Sequence, residues 1–304
     1  MSENQGAPSR AIAIASVAGG AALLGFAPIG VRLSEIGPQA TAFWRFAFAL
    51  PLLFLLCAVQ RSAPPRNRLA ILIVAGICFG LDIAFWHWAL GLTTVVNATL
   101  ASNMTPIIAA AAGWLLFKER ITGAYAIGAG VALAGAILLS YARAMGSGVA
   151  SGQAGLTGDV LGLVSAVWYA AYLIIMRGVR AHVSAVAAMF ATTAAAALFA
   201  LALSLAVHEA LLPHSLNGWL VLIGLGIVVH VGGQGLIAYG LGHLPIALST
   251  ILLWVQPIAA AAFSWMLFGE ALTPLAFAGA ALLLTGVWVV QRFARAAPSI
   301  VERP

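Results

Sequence analysis

The longest uncharged stretch of the chain covers residues 210–269 and reads ALLPHSLNGWLVLIGLGIVVHVGGQGLIAYGLGHLPIALSTILLWVQPIAAAAFSWMLFG. None of these sixty residues is Asp, Glu, Lys or Arg. Such a run cannot form a soluble surface, so it must lie in lipid or against other protein. A membrane-spanning helix needs roughly 20 mostly apolar residues, and this run is therefore long enough for two or three spans.

The composition extends this conclusion to all 304 residues. Of these, 63% are hydrophobic and only 7% are charged, whereas soluble proteins carry about 25% charged residues. The formal net charge of +6 comes from bases scattered between apolar segments, which indicates membrane topology and no nucleic-acid partner. Cys57 and Cys78 lie in apolar runs, and no disulfide framework or metal-ligand spacing is present, so we expect no metal and no cofactor.

Charges, prolines and Gly/Ser clusters divide the chain into ten apolar segments. Lipid offers no hydrogen bonds to the backbone, and segments near 20 residues without strict alternation favour helices over barrel strands. We therefore predict an all-α integral membrane protein with ten transmembrane helices. They lie at residues 11–31, 40–59, 69–91, 95–117, 122–141, 157–177, 183–207, 216–240, 246–268 and 272–292.

The second half of the chain repeats the first half at an offset of 151 residues, as from Pro106 to Pro257. We predict two five-helix units at 11–141 and 157–292, joined by a Gly/Ser-rich linker at 142–156. Because five is odd, the second unit must insert upside down, which makes the units inverted repeats. The other matched pairs include Thr99 with Thr250, Trp114 with Trp265, Phe117 with Phe268, Glu119 with Glu270, Gly128 with Gly279, and Gly135 with Gly286.

The distribution of basic residues predicts the orientation. With the N-terminus inside, eleven of the 14 Lys and Arg residues are cytoplasmic, Arg32 and Arg143 lie outside, and Arg45 lies within the second segment. The positive-inside rule then places the tails at 1–10 and 293–304 in the cytoplasm.

Four motifs carry a resemblance to a known family. They are Pro106–Glu119 and Pro257–Glu270, which close the fourth span of each unit, and the stretches Gly25–Ile29 and Ala42–Arg45. In these motifs and in its duplicated five-span pattern, the chain resembles EamA-type members of the drug/metabolite transporter superfamily over residues 11–292. The resemblance implies a multi-pass protein of the bacterial inner membrane that exports small metabolites, often amino acids.

Charged side chains inside a membrane are costly and commonly functional. Asp82 lies thirteen residues after Leu69, about 20 Å along its span, and Trp86 follows on the same helix face. Asp82 is a candidate to bind a substrate ammonium or carry a proton, with aromatic rings adding cation–π attraction. The alternative is a structural carboxylate bonded to a neighbouring helix. Arg45 is predicted near the outer interface, where it can snorkel and contribute to a gate.

His230 and Gln234 form a second pair spaced four residues apart, in a glycine-rich helix where a polar pair can face a cavity. The remaining cavity candidates are polar or aromatic residues inside their spans. For these, the alternatives are ordinary core packing and hydrogen bonding to carbonyls that prolines leave free. They are His87, Asn97, Asn103, Trp168, Tyr169, Tyr172, Trp254 and Gln256.

Two features that the sequence lacks exclude some classes of substrate and energy source. The predicted interior has no basic cluster for a phosphate, and the chain has no Walker loop for ATP. We predict alternating-access export of small neutral metabolites, most simply amino acids of broad range (aromatic, apolar, methionine, threonine), by a monomer. The same aromatic cavity would suit drugs or other hydrophobic metabolites. A membrane-embedded enzyme is disfavoured because Asp82 and His87, the best catalytic pair, lie on different helix faces; no catalytic residue is assigned.

Overall fold

The structure is a computed structural model, and it describes residues 10–92, 98, 101–102, 104–118, 122–147, 153–268 and 273–293. Every regular element in these ranges is a helix. The helices are α1 (Arg10–Leu24), α2 (Ala27–Leu33), α3 (Pro38–Val59), α4 (Leu69–Leu92), α5 (Thr105–Phe117), α6 (Gly123–Ser147), α7 (Gln153–Val179), α8 (Ala185–Ala206), α9 (Leu216–Gly224), α10 (Gly235–Leu241), α11 (Ile246–Leu252), α12 (Val255–Phe268) and α13 (Pro274–Phe293), with a 3₁₀ turn at Arg66–Arg68 and a π-helix at Leu225–Gln234.

Length and composition make seven helical stretches suitable for crossing a membrane, so the all-helical membrane architecture is confirmed. Three shorter apolar helices lie at Ile107–Leu116, Gly123–Gly135 and Phe277–Val290, and the total of ten spans stays a prediction. Helices α6 and α7 extend into the predicted linker 142–156, up to Ser147 and from Gln153. The seven long stretches are Arg10–Leu33, Pro38–Val59, Arg66–Leu92, Leu156–Val179, Ala185–Ala206, Leu216–Leu241 and Ile246–Leu267.

Local sequence explains where several helices begin. Pro38 occupies the first turn of α3, where its missing N–H costs no helical hydrogen bond. Ser184 caps α8 by accepting the backbone N–H of Ala187 at 3.2 Å, and Ser215 caps α9 by accepting that of Gly218 at 3.1 Å. These caps satisfy amide groups that a helix N-terminus leaves without partners.

Helices from the two halves of the chain pack mainly on one another. Helix α3 lies against α8, α4 against α7 and α8, α5 against α7 and α11, and α6 against α13. Helix α1 packs on the π-helix, α10 and α12. The buried core is rich in alanine, which lets helix backbones approach closely, and the centre of the molecule is therefore an interface between the halves.

Two opposite faces are identified by hydrogen bonds between connections. The Glu35 face contains connections 34–37 and 207–215, because Glu35 accepts hydrogen bonds from the backbone of His214 and Ser215. The Ser62 face contains connections 60–68 and 180–184, which the hydroxyls of Ser62 and Ser184 join. Helix α3 runs from the Glu35 face to the Ser62 face, and α8 runs in the opposite direction.

Helices α6 and α13 also run antiparallel. A Cβ atom at Gly128 would lie 2.9 Å from the carbonyl oxygen of Gly286, and one at Gly135 would lie 2.7 Å from that of Gly279. Later residues of α6 therefore contact earlier residues of α13. Helices that correspond in the sequence repeat thus cross in opposite directions.

Candidate functional site

Asp82 lies in the middle of α4 and is 8% exposed. Its Oδ1 accepts a hydrogen bond from Ser165 Oγ of α7 at 2.6 Å. A buried carboxylate needs such donors because burial in an apolar medium removes its hydration. Since α4 and α7 come from different halves, this bond links the halves at membrane depth.

His230 lies in the π-helix and is 1% exposed. Its Nε2 shares a 2.7 Å hydrogen bond with Thr193 Oγ1 of α8. The imidazole is enclosed by Phe46 of α3, edge-on at 5.1 Å between ring centroids, and by Phe79 of α4 at 5.7 Å. Helices with i→i+5 bonding are rare and frequently occur at functional sites, which singles out this segment.

Gln234 and the tyrosines extend the same cluster. Gln234 Nε2 donates to the Tyr169 hydroxyl of α7 at 3.3 Å. The ring of Tyr172 stacks on Phe79 at 4.8 Å between centroids, and its hydroxyl faces the sulfur of Met189 at 3.8 Å. Side chains from α3, α4, α7, α8 and the π-helix therefore form one connected cluster, which we name the central cluster: Arg45, Phe46, Phe79, Asp82, Ser165, Tyr169, Tyr172, Thr193, His230 and Gln234.

Arg45 is buried inside the protein, so the prediction that it snorkels at the outer interface is wrong. It lies seven residues after Pro38, about 10 Å along α3, and is 4% exposed. Gly226 of the π-helix explains the burial, because a Cβ there would lie 2.9 Å from the carbonyl oxygen of Arg45. The π-helix thus covers this part of α3. The guanidinium interacts electrostatically with Asp82, His87, Tyr169, Tyr172 and His230.

A model of the EamA-like transporter family matches residues 11–141 and 156–292. The chain belongs to the EamA-like transporter family. The pseudopaline exporter CntI of Pseudomonas aeruginosa is 23% identical over 250 residues, covering 82% of this chain and 84% of the relative. An uncharacterized transporter of Archaeoglobus fulgidus is 26% identical over 280 residues, covering 90% of this chain and 93% of the relative.

A solved crystal structure shares the fold of this EamA-like transporter. Its TM-score is 0.80 at 19% identity, and the match covers 94% of this chain and 99% of that one. Family and relatives together indicate a multi-span membrane transporter of the drug/metabolite type with a small-molecule substrate, and they argue against an enzyme.

The remaining predicted site residues of the EamA-like transporter divide into three groups. His87 is buried near the carbonyl of Pro38, and the half-buried Trp86 lies 5.3 Å from its ring. Trp254 is 1% exposed in the apolar core, while Trp168 and Gln256 are half-buried. Asn97 and Asn103 lie outside the described residues.

Four members of the central cluster are absent from our sequence predictions: Ser165, Thr193, Phe46 and Phe79. Thr193 is signalled by the pair Thr192–Thr193, which interrupts an otherwise apolar segment. Phe46 and Phe79 carry no such signal, because phenylalanine is expected in any membrane span. Their role depends on which rings the fold places around His230.

Several polar atoms of the central cluster and its neighbour His87 have no hydrogen-bond partner within the part of the chain that the structure describes. Buried polar groups are hydrogen-bonded in the great majority of cases. Each of these buried atoms therefore lacks the hydrogen bond that a folded protein normally supplies. They are Arg45 Nε, both ring nitrogens of His87, His230 Nδ1 and Gln234 Oε1. Among the described residues, no group of three or more His, Cys, Asp or Glu could hold a metal ion.

The Glu35 face of the EamA-like transporter is closed by two reciprocal contacts. Glu35 accepts hydrogen bonds at the start of α9, from the backbone of His214 and Ser215 at 2.9 and 3.0 Å and from Ser215 Oγ at 2.5 Å. In return, Glu209 accepts the backbone N–H of Ala40 near the start of α3 at 2.7 Å. The side-chain hydrogen bond from Ser215 is the main cause that lowers the pKa of Glu35, so Glu35 is ionised at neutral pH.

Trp44 strengthens the same closure. Its Nε1 donates to the carbonyl oxygen of Leu211 at 2.6 Å, and its ring meets Trp219 edge-to-face at 4.9 Å. Each half of the chain therefore holds the end of a helix from the other half. A carboxylate at a helix N-terminus is favourable because the helix dipole is positive there.

Proposed function

We propose that this protein is a secondary transporter that exports small neutral metabolites, most simply amino acids, through a cavity between its two halves. The observation that carries the proposal is the central cluster itself. It places one aspartate, one arginine, two tyrosines and one histidine at the interface of the halves in a chain that is 63% hydrophobic. Polar groups inside a membrane are retained chiefly where they bind substrates or ions.

Inverted repeats are part of this proposal, with five spans in each unit. The opposite directions of α3 and α8 support the inversion, and so does the reciprocal contact of Gly128 and Gly135 with Gly286 and Gly279. Two inverted units can exchange their conformations, which opens a site at their interface first to one side and then to the other. Alternating access is therefore the mechanism that we propose.

We also propose that the Ser62 face is cytoplasmic in a bacterial inner membrane. Arg61, Arg66 and Arg68 lie on that face, and the positive-inside rule assigns a face rich in Lys and Arg to the cytoplasm. Helix α1 begins on the Ser62 face. The hydroxyl of Tyr125 in α6 bonds to Ala247 of α11 at 3.4 Å on the same side, and the antiparallel α13 therefore ends there. Both tails would then be cytoplasmic, with the Glu35 face as the closed outer gate.

The substrate class follows from the charges of the central cluster. It contains one carboxylate and one guanidinium, so a solute with one ammonium and one carboxylate would neutralise both. The rings of Phe79, Tyr169 and Tyr172 offer apolar contact to its side chain. The same rings would favour hydrophobic drugs, which is the second candidate. Export as the direction is supported by a relative that bears the name pseudopaline exporter.

Purified protein in liposomes tests the proposal directly. We expect labelled phenylalanine, methionine or threonine to cross the bilayer faster than in empty vesicles, and we expect Asp82→Asn to lower that flux at least about tenfold, since a charged hydrogen bond contributes about 1.5–3 kcal/mol. The matched control is Asp159→Asn, the other aspartate of the chain, which should keep most of the flux. Movement of a cationic drug without movement of any amino acid would refute the amino acid assignment.

A further inference from the structure

We propose that Arg45 is the group that binds the substrate's carboxylate. This inference rests on the proposed function and gives its site a polarity: the carboxylate lies toward Arg45 of α3, and the ammonium lies toward Asp82 of α4. Sequence reasoning assigned Arg45 to a gate at the membrane surface, but the structure places it within the central cluster.

The first step is that Arg45 is buried without a full set of partners. It is 4% exposed, and its Nε makes no hydrogen bond to any described residue. Arginine does not lose its proton in proteins, so it cannot escape the cost of burial by becoming neutral. A buried charge persists only where something compensates for it, and an anionic group that enters the site would do so.

The second step is that Asp82 does not fill this role by itself. Its Oδ1 is bonded to Ser165 Oγ at 2.6 Å, and Arg45 Nε remains without a partner. The two residues interact electrostatically, yet the Nε–H of the guanidinium has no acceptor among the described residues. The site therefore holds one positive and one negative group that a dipolar solute would join.

The third step is the match between guanidinium and carboxylate. A guanidinium presents parallel N–H groups that fit the two oxygens of a carboxylate, and such paired, charge-assisted bonds are strong and directional. The other groups that interact electrostatically with Arg45 are Tyr169, Tyr172, His87 and His230. None of these side chains is a carboxylate that could pair with the guanidinium of Arg45, so a substrate carboxylate is the best partner for it.

The test compares phenylalanine with phenylalaninamide, which keeps the ammonium and the ring but lacks the carboxylate. In wild-type vesicles, unlabelled phenylalanine should inhibit labelled phenylalanine uptake at least about tenfold more strongly than the amide, as expected for a charge-assisted hydrogen bond. Arg45→Gln should raise the KM for phenylalanine by a similar factor and leave amide transport within about twofold. Arg45→Lys, which keeps the charge but loses the paired geometry, should fall between the two.

The controls separate this inference from the function on which it rests. Absence of flux for phenylalanine, methionine and threonine alike in the wild type overturns the proposed function. Phenylalanine flux with equal inhibition by the amide overturns only the assignment of Arg45. An Arg45→Gln protein that elutes as a single species but loses acid and amide transport equally also overturns it. If that variant does not fold, Arg45→Lys takes its place, and an unchanged KM for phenylalanine in Arg45→Lys overturns the assignment.

Discussion

The antiparallel contact between α6 and α13 predicts that Gly135 cannot accept even one methyl group. A Cβ atom there would lie 2.3 Å from the backbone nitrogen of Leu283 and 2.7 Å from the carbonyl oxygen of Gly279, where real Cβ atoms stay beyond 3.0 Å. Backbone atoms cannot rotate away, so Gly135→Ala must push the helices apart. Overpacking costs about 1–3 kcal/mol, and the better helix propensity of alanine returns up to about 1 kcal/mol.

Gly130→Ala is the matched control within the same helix. Apart from its own helix backbone, no atom of the described residues lies within 4 Å of the position that its Cβ would occupy, so this substitution should gain about 0.5–1 kcal/mol from helix propensity alone. Gly286→Ala should behave like Gly135→Ala, because its Cβ would lie 2.3 Å from the backbone nitrogen of Ala132. The two tight positions correspond to each other at the repeat offset.

Thermal unfolding in detergent, followed by tryptophan fluorescence, measures the difference. Each kcal/mol shifts Tm by roughly 2–4 °C in chains somewhat shorter than this one, so both tight variants should unfold several degrees below Gly130→Ala. Equal Tm values for Gly135→Ala and Gly130→Ala would show that the helices do not meet as described. A loss at Gly135 without one at Gly286 would contradict the reciprocal contact and remove its support for inverted repeats.

Two further predictions concern the central cluster and the Glu35 face. Thr193→Val should lower Tm because His230 Nε2 is left buried without a partner, which costs about 1–3 kcal/mol. Thr192→Val is the control and should cost less, because the Thr192 hydroxyl bonds to carbonyls of its own helix. Equal losses of Tm in the two variants would argue against the bond between Thr193 and His230. The lowered pKa of Glu35 means that its contacts are complete at neutral pH and are lost as the pH falls through that lowered value, below the usual glutamate value of about 4.3. Spin labels in connections 34–37 and 207–215 should therefore move apart at acidic pH, and in Glu35→Gln they should already be apart at neutral pH. If the distance between the labels is unchanged in both experiments, the Glu35 carboxylate has no role in closing this face.

The sequence predicted the architecture well because membrane spans are determined by properties that a sequence displays directly. Apolar length predicts helices, since lipid leaves the backbone no other partner. An ungapped repeat predicts two related units, and the family match covers both. The spacing of Asp82 from the start of its helix also predicted that it lies inside its span, and the structure buries it in the middle of α4.

The position of Arg45 could not be obtained in this way. Distance from the helix end is similar for an arginine that snorkels and for one that points inward; the difference depends on which helix covers it. Arg45 is covered by the π-helix, which contacts the α3 backbone at Gly226. A ten-residue π-helix changes the register of His230 and Gln234 relative to an α-helix, and no simple periodicity in the sequence predicts it.

The central cluster combines a symmetric scaffold with asymmetric chemistry. The repeat offset relates Phe79 to His230, and these two rings are in contact, as expected for equivalent positions beside a two-fold axis. The same offset relates Asp82 to Gly233, which has no side chain and instead packs against Leu24 and Gly20 of α1. In the mechanism that we propose, symmetry lets the two halves exchange conformations, but a symmetric site would present two acids or none. Under the proposed function, the glycine at this position leaves one carboxylate and one guanidinium in the cluster, and a site with one charge of each sign would hold a zwitterion in one orientation only.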